Sequence, residues 1–86
     1  MPEVSRFFGI RIVFFFNDHN PPHFHAIYEE RKAVFDIRSL QMTEGALPPR
    51  IRGFIVEWAA LHQQELTSAW DAVRAGQNPG KIAPLE

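Results

Sequence analysis

Cysteine is absent from the 86-residue chain, which excludes a disulfide framework, a thiolate zinc site and a cysteine nucleophile. That absence favours a reducing compartment, and the cytoplasm is the expected location. Long apolar runs are missing too: the longest, Ile12 to Phe16, is far too short to span a bilayer, so no membrane partner is expected. The opening "MPEVSRFF" lacks a basic region leading into an apolar stretch and a small-residue cleavage site, so no targeting segment is expected there. An excess of positive charge is also lacking. Nine Lys and Arg stand against ten Asp and Glu, a formal charge of −1, which argues against a protein whose main work is gripping a phosphate backbone. Residues 29–56 are slightly basic and residues 57–86 slightly acidic, an asymmetry that ordinary solvated surface accounts for.

What the chain does have is apolar and aromatic. Forty-five per cent of its residues are hydrophobic, with eight Phe and two Trp, which excludes disorder by composition. A chain of this length buries only about 60 to 65% of its extended surface on folding, so it forms one domain, residues 1–86, with a thin core. Turn formers cluster at "NDHNPP", "TEGALPP" and "GQNPG" and divide it into strands, a helical region and a tail.

Phe8, Ile10, Ile12, Phe14 and Phe16 share one parity, which predicts a strand over about 7–16 with a fully apolar face. "HFHAIYEERKAVFDIR" reads as a hairpin of strands at about 23–29 and 32–38. With Glu30 and Arg31 at its tip, Phe24, Ala26 and Tyr28 oppose Ile37, Phe35 and Ala33 on the core side. On the other side His25 opposes Asp36, His23 opposes Arg38 and Ile27 opposes Val34. Residues 39–43 offer a short additional edge strand. From Pro49 the period changes to three and four through Ile51, Ile55, Trp58, Leu61, Leu66, Trp70 and Val73, an amphipathic helical region over about 49–75. Pro49 suits its first turn, and Arg74 with Gly76 suits its end. His62 and Glu65 interrupt the apolar stripe, and an unbroken helix of that length would span about 40 Å; a break near Thr67-Ser68, with Asp71 completing a capping box, is expected. Residues 76–86 form an extended tail. The fold class is α+β: an antiparallel sheet of three or four strands, one face covered by a C-terminal helix or broken helix pair.

The other face carries the chemistry. "FFFNDHNPPHFHAIYEE" holds three of the four histidines within seven positions. In a first reading His25, oriented by Asp36, and His23 move protons in metal-free RNA cleavage while Arg38 or Arg6 steadies the phosphate. In a second, His19, His23 and His25 bind a divalent transition metal, with Asp36 or Glu29 as a fourth donor. "HFHAIYE" is similar to the first metal motif of cupins, but the chain is too short for that barrel and lacks its second motif. In a third, the histidines, Asn17 and Asp18 satisfy loop amides around a rigid Pro21-Pro22 corner, and a partner-binding face carries the function. Val13, Phe15, Ile27 and Val34 lie on the same face, more apolar surface than a solitary sheet leaves in water. A homodimer, a small partner protein or the tail is expected to cover part of it.

"MPEVSRFFGI", "FNDHNPPHFH", "EWAALHQQEL" followed by Trp70, and "KIAPLE" together resemble small bacterial proteins grouped as domain of unknown function 4160. The likeness spans nearly the whole chain, and Ser5, Arg6, Gly9, Asp18, His19, His23 and His25 match position for position. It implies a short cytoplasmic domain, encoded beside another small protein in arrangements like those of toxin–antitoxin pairs; Asp18 and His19, beside the histidine pair, are the candidate binding residues. It carries no established activity. The "EER" tip departs from the glycine-containing turn expected in such proteins.

Overall fold

A computed structural model describes residues 1–86. Five antiparallel strands, β1 (Glu3–Phe7), β2 (Ile10–Val13), β3 (His23–Tyr28), β4 (Arg31–Asp36) and β5 (Met42–Gly45), are followed by helices α1 (Pro49–Leu61) and α2 (Gln63–Arg74). The strands are hydrogen-bonded in chain order, so the sheet is a simple meander. The α+β class is as expected, with five strands in place of three or four.

The strand expected over 7–16 is the shorter β2 at 10–13, and β1 at 3–7, which meets the expected range only at Phe7, is a strand that the pattern does not announce. Phe7 pairs with Ile10 around a two-residue turn in which Phe8 (φ 50°) and Gly9 (φ 78°) both lie in the left-handed region. Both central residues need positive φ in the primed turn that matches strand twist. Gly9 adopts it freely, while the left-handed region costs a side chain such as Phe8 about 1–2 kcal/mol. Phe8 and Phe16, expected in the core, are 51% and 44% exposed, because both fall outside the strands.

In the next hairpin Glu29 takes φ 54° and forms the tip with Glu30, so the register lies two residues from the expected one. His23 therefore opposes Asp36, and His25 opposes Val34. A two-residue shift preserves parity, and the core-facing set Phe24, Ala26, Ala33, Phe35 and Ile37 is unchanged and buried. The short strand expected at 39–43 lies at 42–45. Residues 37–41 turn instead, with Leu40 at φ 62° and Asp36 Oδ1 accepting the Arg38 and Ser39 N–H groups at 2.8 Å each.

Ile51, Ile55, Trp58, Leu66, Trp70 and Val73 of the helices complete the core over the sheet. Pro49 opens α1, and Gly76 (φ 75°) closes α2 while its N–H donates to Val73 O. The helical break is at His62, not near Thr67-Ser68, and Asp71 lies inside α2. His62 Nδ1 and Glu65 Oε1 are 2.6 Å apart, so the two polar interruptions of the stripe satisfy each other at the junction. No helix is long and apolar enough to cross a membrane. The tail runs beside β1: Ile82 N–H donates to Val4 O, and Trp58 Nε1–H donates to Ala83 O at 2.8 Å. It therefore closes the core. On the opposite sheet face Val13 is buried, and Phe15, Ile27 and Val34 are half-buried.

Glu3 accepts two hydrogen bonds from Arg6 and one from Arg11, which together hold its carboxyl at about 2, from an ordinary 4.5. A carboxylate depressed in the folded state contributes stability above its unfolded value and loses it as pH falls through the folded one. The Glu3→Gln variant is accordingly expected to be modestly less stable than wild type at pH 6. That gap should narrow from pH 4.5 downward and close near pH 2, as read by urea midpoints across the range.

Candidate functional site

His23 and His25 alternate on β3, so both project to the face away from the core, as parity requires. The nine-residue connection from β2 then folds back across the start of β3 and brings Asp18 over both rings. Asp18 Oδ2 lies 2.8 Å from His23 Nε2 and 3.1 Å from His25 Nε2. One donor atom from each residue falls within 4.8 Å of the other two. Phe15 packs edge-on against the His25 ring at 4.3 Å, and Trp70 of α2 lies 5.0 Å from the His23 ring. Both imidazoles are thus held in orientation by aromatic neighbours.

The protons at His23 follow from its partners. Its Nδ1 is 2.7 Å from Pro21 O, which can only accept, so Nδ1 carries a hydrogen and donates it. In a neutral ring Nε2 is then a bare lone pair. It faces Asp18, whose carboxyl burial pushes up but the hydrogen bond from His25 and the charge of His23 bring below its usual value. Two acceptors at 2.8 Å repel. A proton on either atom, or a cation shared by Nε2 and the carboxylate, relieves that repulsion.

Tetrahedral bonds of about 2.0–2.1 Å to a transition metal hold neighbouring donors about 3.3 Å apart. The observed 2.8 and 3.1 Å need to open by a few tenths of an ångström, and the two imidazole nitrogens, which lie within 4.8 Å of each other, need to draw together around the ion. An imidazole whose other N–H is anchored on a backbone carbonyl is the usual second contact of a metal-ligating histidine. Two imidazoles and one carboxylate suit zinc, iron or nickel.

The expected site residues separate into two groups. His23, His25 and Asp18 converge, and His19 and Asp36 line the same cleft of about 370 Å³. His19 does not join the three convergent donors: its ring is exposed, 5.9 Å from that of His23, with Nδ1 3.0 Å from Asn20 O. Asp36 does not orient His25, because the register sets it opposite His23 and its Oδ1 caps the following turn. The Ser39 N–H, opposed by burial and aided by the Arg38 N–H, holds that carboxyl below its usual value. Arg38 lies beyond the end of β4 and is exposed, and Glu29 sits at the far hairpin tip. Arg6 is on β1, two strands or roughly 10 Å from β3, with its guanidinium engaged on Glu3. Glu44 and Thr43 of β5 form a further wall that the sequence reading misses. Glu44 opposes Val34, which opposes His25, so only the correct register could have placed it.

These features define a class: a small α+β domain whose five-stranded meander is backed by two helices and presents a two-histidine, one-aspartate cluster on its open face. Within that class, residues 9–71 match the family described as domain of unknown function (DUF4160), and the chain belongs to it. No curated protein and no solved structure matches the chain.

Proposed function

We propose that the domain binds one divalent transition-metal ion through Asp18 Oδ2 and the Nε2 atoms of His23 and His25. The observation that carries this reading is the His23 ring, anchored through Nδ1 on Pro21 O while Nε2 lies 2.8 Å from Asp18 Oδ2. Metal-free RNA cleavage has less support. It requires a cation beside the reacting phosphate, whereas the cleft is lined by Asp36 and Glu44 and by no Lys or Arg. Within the toxin–antitoxin-like arrangement that the family resemblance implies, ion binding is the chemistry this component would bring.

Protein purified without an affinity tag is expected to take up one equivalent of Zn2+ or Ni2+, and the near-isosteric Asp18→Asn variant to take up far less. Ion at a hundred times its Kd should stabilise the fold by up to about 2.7 kcal/mol. Co2+ or Cu2+ should quench the fluorescence of Trp70, whose ring is 5.0 Å from His23. Wild-type protein that takes up no ion, with an unmoved thermal midpoint, would rule the reading out.

A further inference from the structure

Three convergent donors leave a four-coordinate ion one position short. Three side chains along the cleft carry a donor that could fill it: His19, Asp36 and Glu44. Asp36 Oδ1 already accepts two backbone N–H groups at 2.8 Å, which pins that carboxylate to its own turn. Glu44 is two strands from His25, a Cα separation of about 10 Å. His19 differs from both. Its Cα adjoins that of Asp18, which already supplies a donor from the same loop.

The ring of His19 is prepared in the same way as that of His23. Nδ1 lies 3.0 Å from a loop carbonyl, Asn20 O, as His23 Nδ1 lies against Pro21 O, so in the neutral ring Nε2 is a lone pair. The two ring centroids are 5.9 Å apart, close to the 5.2 Å between His23 and His25. The ring is exposed, so rotation about its two side-chain torsions gives up only the Asn20 O contact and no packing.

Resting on the ion-binding reading above, we propose that His19 is the fourth ligand, swinging onto the ion through Nε2 and enclosing it in three imidazoles and one carboxylate. A site with four protein ligands belongs with structural and regulatory metal sites, where no position is kept open for substrate. Its effect is to add an ion-dependent tie between the β2–β3 loop and the sheet, beside those that Asp18 and Pro21 already make.

The test is cobalt substitution of the full chain, because four-coordinate Co2+ absorbs visible light far more strongly than five- or six-coordinate Co2+. Wild type, Asp36→Asn and Glu44→Gln are expected to share the strong tetrahedral spectrum. His19→Ala should lose most of that intensity and bind Co2+ at least tenfold more weakly, with an unchanged circular dichroism spectrum. Added free imidazole should then restore the intense spectrum, which a merely structural role for His19 would not allow. Equal spectra and affinities for wild type and His19→Ala would overturn the fourth ligand while leaving the three-donor site standing. Weak bands in wild type would do the same. Wild type that binds no Co2+ removes the ion-binding reading and this inference with it.

Discussion

Replacing Trp58 by Ala is expected to remove a large fraction of the fold's stability. Trp58 is fully buried at the seam between α1 and the sheet, its ring 5.3 Å from Phe7 and 6.0 Å from Phe24. Truncating a buried aromatic to Ala costs about 3–5 kcal/mol. A domain of this length has a total stability of only roughly 4–13 kcal/mol. The indole N–H also holds the tail through Ala83 O, so two contacts fail together. Trp58→Phe separates them: it keeps most of the apolar packing and loses the hydrogen bond, for about 0.5–1.5 kcal/mol plus a small cavity. Urea midpoints should fall in the order wild type, Trp58→Phe, Trp58→Ala. An Ala variant as stable as wild type would show that the helix–sheet seam is not where stability resides.

Gly45→Ala is expected to detach β5 from β4. Gly45 sits at φ +88°, and a Cβ there would run into Lys32 O and lie 2.8 Å from Ala33 Cα, backbone atoms that cannot rotate away. The left-handed conformation alone costs an Ala about 1–2 kcal/mol, and relieving the clash requires the edge strand to lift. Thr43 and Glu44 would leave the cleft with it, whereas Asp18, His23 and His25 lie on other elements. Hydrogen exchange should therefore accelerate at the β4–β5 amides by tenfold or more while ion affinity stays within about twofold of wild type. Loss of ion binding in this variant would mean that β5 supplies a ligand.

The helical half of the chain is legible because its signals are local. The three-and-four spacing, Pro49 at the start and Gly76 at the end all act within a turn or two of where they stand. The strands are less so. Apolar alternation from Phe8 to Phe14 begins inside the turn at Phe8-Gly9 and hides it, and only the left-handed backbone of a phenylalanine, which no propensity favours, separates β1 from β2. Glu29 hides the second hairpin tip in the same way, and the register slips by two. Such a slip leaves every side chain on its own face, which is why His23 and His25 are placed correctly and their partners are not. Asp18 replaces Asp36 because loop residues have no parity; their positions follow from the path of a nine-residue connection across the sheet.

Asp18, His23 and His25 fall within eight consecutive residues, and His19 lies between them. A chelate so short in sequence needs little loop closure, so the denatured chain retains much of its capacity to capture the ion. Whatever the denatured chain binds is subtracted from the stabilisation of the fold. The ion's preference for the native state then rests on the two features a random coil lacks, the β3 backbone that aims both rings and the Pro21 carbonyl that fixes one of them.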